Sequence, residues 1–114
     1  MATEVLLNHA AAVLQLHNLC LKMCASKDVL ETKRLFTSGL DVLKCLQGCS
    51  ARQWQILIYL LLGHRNLIVD ECPAIDERIL NLLCMHPDAV PSDLFQDRLP
   101  SHIVIRINEL LPGL

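Results

Sequence analysis

The side chains able to do chemistry in this 114-residue chain are its six cysteines and five histidines. A structural zinc site takes four Cys or His ligands, usually in short paired spacings from two knuckles. Cys72, Cys84 and His86, with His64 as a fourth, form a mixed sulfur and nitrogen set, but only Cys84-x-His86 is a short pair. The spacing therefore predicts no metal ligands, and no other cofactor is expected. Nucleophilic catalysis needs a base poised beside a cysteine or serine and a third group to orient it. Asp70, Glu71 and Cys72 follow His64 closely. Adjacency within a loop fixes no such geometry, and a solvated acidic connection ending at Pro73 accounts for these residues. The four glycines, at 39, 48, 63 and 113, make no phosphate-cradling loop. The expectation is a protein without catalytic residues, not an enzyme.

The remaining cysteines fall into two CX3C pairs, Cys20-x3-Cys24 and Cys45-x3-Cys49. Spacing i, i+4 puts each pair on one helix face, and a free cysteine packs as a small core residue. Twin CX3C pairs also resemble the small Tim chaperones of the mitochondrial intermembrane space. The resemblance covers residues 20–49. It implies two antiparallel helices joined by two disulfides, and a redox-folded carrier or chaperone as an alternative function. The 20 residues between the pairs exceed that family's pattern, and a more apolar sequence continues for 65 residues beyond them. The opening MATEVLLNHAAAVL lacks a basic segment, carries Glu4 early and is interrupted by Asn8 and His9, so it does not read as a targeting signal. Reduced thiols, and a cytoplasmic or nuclear location, are the expectation.

Composition narrows the choice of partner. Net charge is −2, and the ten Lys and Arg residues are scattered without a basic stripe, so nucleic acid is not an expected ligand. The longest apolar run, Trp54 to Leu62, falls short of the ~20 residues that a membrane span needs. Hydrophobic residues make up 53% of the chain and charged ones 19%. That is more apolar side chain than a domain of this length readily hides, which predicts an apolar patch for a protein partner or for self-association.

These residues must be carried by helices. Aromatic residues are 4% and glycines few, so leucine, isoleucine, valine and alanine build the core, a composition that favours helix. The expected fold is all-α, a single domain over residues 1–114. It is a compact bundle of five or six helices, or an irregular solenoid-like stack, around a buried central helix at about 51–62. That helix opens with the capping-box spacing Ser50-x-x-Gln53 and closes at Gly63. Apolar on every side, it should be surrounded.

A first helix capped by Thr3 runs to about Ala25. Glu4, Asn8, Gln15, Asn18 and Lys22 form its one wet stripe, and a wide dry face, with Val5, Leu6, Leu14, Leu21 and Met23, packs on two sides. A second starts at Asp28 and runs to about Gln47. It stays continuous across Ser38-Gly39 because Glu31, Arg34, Asp41 and Lys44 keep one phase, and it buries Val29, Leu30, Phe36, Leu40, Leu43 and Leu46. Leu67 to Val69 form a buried loop or a helical turn. Pro73 then opens a helix with Ile75, Ile79, Leu82 and Leu83 inward and Asp76, Glu77 and Asn81 opposite. His86-Pro87 ends it. Ser92 caps a short helix stopped by Pro100, and Ser101 caps the last.

The function expected from this pattern is a protein–protein interaction module, an adaptor or complex subunit presenting an apolar face or groove to a partner such as an amphipathic helix. A homo-oligomer is the close variant. The residues expected to bind the partner are Phe95, Leu99, Ile103, Ile107 and Leu110, on the late, proline-punctuated helices at the bundle's edge.

Overall fold

The computed structural model describes residues 8–90 and 98–111. Among them the fold is all-α, with five helices and no strand. The helices are α1 (His9–Ala25), α2 (Val29–Lys44), α3 (Ala51–Leu62), α4 (Pro73–Met85) and α5 (Ser101–Leu110). Single 3-10 turns lie at Arg65–Leu67 and Pro87–Ala89. Contacts run in a row, α1 to α2 to α4 to α5, with α3 laid against α1 and α2 and against the Pro87–Ala89 turn. The smallest extent, 22 Å, is about two helix diameters, as two layers require.

Each helix start has a local cause. The side chain of Asn8 accepts the Ala11 N–H at 2.9 Å, so α1 is capped there. The expected Thr3 cap, with Glu4, Val5 and Leu6, lies outside the described residues. Asp28 accepts the Leu30 N–H at 3.1 Å and starts α2. Ser50 and Gln53 make both bonds of the capping box, at 3.0 and 3.2 Å. Pro73 opens α4 without a side-chain cap. At α5 the cap position is Pro100 rather than Ser101, which is already helical, and no side chain caps it.

Four expectations about faces are corrected. The first concerns α1, which buries one stripe, Ala12, Leu16, Cys20 and Met23, and leaves Leu14 and Leu21 62% and 56% exposed. It packs on one side because it ends the row. The second concerns α2, whose first two residues, Val29 and Leu30, are exposed while Phe36, Leu40, Leu43 and Leu46 are buried. In the third, α3 buries Trp54, Leu57, Ile58, Leu61 and Leu62, yet Ile56 is 48% exposed. The helix is bedded in the core rather than encircled, because no described element covers its outer edge. The fourth is Asp76, which is buried rather than facing solvent.

Two glycines set how the layers meet. Gly39 lets α2 continue unbroken while α3 comes close. A Cβ there would stand 2.6 Å from Cδ1 of Leu61 and 3.4 Å from Cδ2 of Leu16. Gly48, at φ +73°, supplies the left-handed residue that turns the chain from α2 towards α3. The buried side chains of all five helices form one continuous core.

Candidate interaction groove

The neighbouring helices α2 and α4 enclose an open groove of about 380 Å³. Leu40, Leu43 and Leu46 form one wall, and Leu82 and Met85 the other. The floor is an aromatic stack. Trp54, in the first turn of α3, and His86, at the C-cap of α4, lie with ring centroids 3.9 Å apart and planes 21° from parallel. The capping box fixes the start of α3 and with it the direction of Trp54. Two N–H···O bonds from the His86 amide to Leu82 and Leu83, each 3.2 Å, hold the other ring. Burial pushes the His86 imidazole below its ordinary value of 6.5, so the ring stacks in its neutral form at pH 7.

The groove's rim is positive. Lys44 and Arg78 line it, and among the described residues no carboxylate does. Arg78 is held by Asp41 at 2.7 Å, an ion pair that bridges α2 and α4. Lys44 is exposed and has no carboxylate partner among the described residues. Beyond the stack lies a second recess of about 290 Å³, bounded by Cys49, Pro87 and Asp88 and sharing Trp54, Met85 and His86 with the first. The two recesses lie on either side of the residues they share, Trp54, Met85 and His86. Met85 is 73% exposed. An apolar cleft with a few placed charges is the general form of a ligand pocket.

A buried polar cluster ties the other end of the fold together. Arg65 is 1% exposed. Its guanidinium donates to both carboxylate oxygens of Asp76, at 2.8 and 3.2 Å, and to the Ile68 carbonyl at 2.9 Å. Asp76 also meets His102 Nε2 at 2.9 Å. The 3-10 turn after α3, the first turn of α4 and the first turn of α5 are thus pinned at one carboxylate.

The cysteine and histidine sets are dispersed. His64 Nδ1 lies 2.8 Å from the Leu60 carbonyl, His86 is stacked on Trp54, Cys72 is buried and Cys84 is exposed. No three metal-binding side chains gather among the described residues. All six cysteines are free. Cys24 sits beside the α1–α2 turn and Cys45 at the far end of α2. The rise of that 16-residue helix, about 24 Å, separates the CX3C pairs by far more than a disulfide spans. Cys20 donates to the Leu60 carbonyl at 3.7 Å, and burial, with Cys24 beside it, pushes its thiol up to about 11.

Of the residues expected to bind a partner, Leu99, Ile103 and Ile107 are buried in the core. Leu110 is exposed, and Phe95 lies outside the described residues. The groove instead uses Lys44, Trp54, Arg78, Leu82, Met85 and His86. The one available signal was the chain's sole tryptophan, four residues into a capped helix. Comparison with family models, with curated proteins and with solved structures finds no match to this chain.

Proposed function

We propose that this protein is a non-enzymatic interaction module, an adaptor or subunit of a larger complex, whose α2–α4 groove takes the apolar face of an amphipathic helix from a partner protein. The observation that carries the reading is the apolar groove at the Trp54–His86 stack, with Lys44 on its rim lacking a carboxylate partner among the described residues and Arg78 held there by Asp41. A helix laid there inserts bulky side chains at i, i+3 or i+4, and i+7. Acidic residues flanking those anchors meet Lys44 and Arg78, which sets orientation and speeds encounter more than it adds affinity. Six free thiols suit the reducing cytoplasm or nucleus.

Selection from a displayed library of amphipathic helices tests this. Enriched sequences should carry large apolar anchors flanked by Asp or Glu and should shift the emission of Trp54, the only tryptophan. Met85→Glu should abolish binding, and Lys44→Glu should remove the acidic preference. Binders unaffected by Met85→Glu, or a library that yields none, would overturn the reading.

A further inference from the structure

On α1 the exposed residues Ala10, Leu14, His17, Leu21 and Cys24 succeed one another at steps of four, three, four and three. That is the spacing of a coiled-coil seam, and here it faces away from the core. The buried stripe of Ala12, Leu16, Cys20 and Met23 lies elsewhere on the circumference, so among the described residues the seam takes no part in the core. Its two leucines are 62% and 56% exposed, and no charged residue interrupts it. The polar residues of the exposed surface, Gln15, Asn18 and Lys22, stand to one side of it.

The geometry points to an interface between two copies of this chain, formed by α1 pairing antiparallel with α1 of the second copy about a twofold axis near His17. Three observations select this occupant. A four-three seam is a surface for another helix carrying the same seam. From His17 the stripe reads a leucine, then a small residue, on each side, so in an antiparallel twofold pair leucine faces leucine and small residue faces small residue. And with no charge in the stripe, a copy meets no like charge, while an oppositely charged partner finds nothing to pair with. Antiparallel pairing also sets each helix's positive end beside the other's negative end. It brings Leu14 of one copy beside Leu21 of the other. A contact only one helix wide falls at the small end of specific interfaces, so association depends on concentration, in the micromolar range.

The inference is independent of the groove, which lies on α2 and α4. Its test is solution mass by sedimentation, across the micromolar range. The mass should rise from that of one 12.8 kDa chain towards twice that value. Leu14→Glu and Leu21→Lys should each hold it at one chain with the helical signal unchanged, since both sites are exposed. The double variant should restore the dimer, because antiparallel pairing sets Glu beside Lys twice across the axis. Within one chain those two positions are about 10.5 Å apart along the helix, so the rescue cannot arise internally. A native protein monomeric throughout, a dimer that survives either single substitution, or a double variant that stays monomeric would each overturn the proposal. Met85→Glu, which tests the groove, should leave the mass unchanged.

Discussion

Replacing Asp76 by Ala should destabilise the fold more than any other single truncation of a polar side chain described here. The substitution removes two of the three hydrogen bonds made by the Arg65 guanidinium. Arg65 is 1% exposed, so water cannot take their place without opening the packing around it. Removing one partner of a buried ion pair costs about 3–5 kcal/mol, most of it the penalty of the charge left behind. A chain of 114 residues has a total stability of roughly 6–17 kcal/mol, so the loss is a large fraction of the whole. With an m value of about 1.5 kcal/mol/M in urea, the midpoint should fall by roughly 2–3 M. His102→Ala serves as the control. His102 touches the same carboxylate at 2.9 Å, but its side chain is 58% exposed, so the change should stay within about 1 kcal/mol. The double substitution Arg65→Met/Asp76→Leu should recover most of the loss, since an apolar pair replaces a buried ion pair at little cost or with gain. Urea unfolding followed by far-UV circular dichroism reads all of these. An Asp76→Ala variant within about 1 kcal/mol of the parent would refute the claim that this carboxylate is what makes burial of Arg65 tolerable.

Gly39 and His86 give two further tests. At Gly39 a new Cβ gains about 1 kcal/mol of helix propensity but meets the enclosed methyls of Leu61, and overpacking costs about 1–3 kcal/mol. Gly39→Ala should therefore stay within about 1 kcal/mol of the parent, whereas Gly39→Val should lose about 2 kcal/mol or more; equal stability of the two in urea would show that α2 and α3 are not in close contact there. At His86 burial lowers the folded pKa below its ordinary value of 6.5, so the unfolded chain binds the proton more readily. The stability this group contributes is present above about 6.5 and is lost as pH falls through that value towards the folded one. The loss in urea stability between pH 7.5 and pH 5 should be smaller in His86→Phe than in the parent, and an unchanged loss would refute burial as the cause.

Much of this architecture is legible in the chain because helix ends are local. Ser50 and Gln53, Asp28, Gly48 and Pro73 each act on backbone groups within four residues of themselves, and the elements they bound appear where those residues place them. Faces are less local. Periodicity tells which residues share a side of a helix, but not how many sides have neighbours. Leu14 and Leu21 resemble core residues for that reason, and become surface only because α1 ends the row. Asp76 shows the converse. Its charge argues for solvent, yet it stands three residues before Ile79, four before Leu80 and seven before Leu83, all buried. The spacing was the better guide, but its partner Arg65 sits in a turn whose position periodicity does not reach.

The groove lies one level further from the sequence. Its walls come from α2 and α4, separated in the chain by the whole of α3, and its floor joins Trp54 to His86 across 32 residues. No single segment bears its mark. A search for surface at the chain's late, proline-rich end selects Leu99, Ile103 and Ile107, yet these sit in the core, with α5 packed on α4. The logic of a row of helices explains the result. Each helix has neighbours on both sides except at the ends, so open apolar surface arises where the row ends or where two neighbours stand apart. The outer seam of α1 is the first case and the cleft between α2 and α4 the second. Both follow from the order of packing, and because they lie on different helices, Met85→Glu and Leu14→Glu test the two proposals separately.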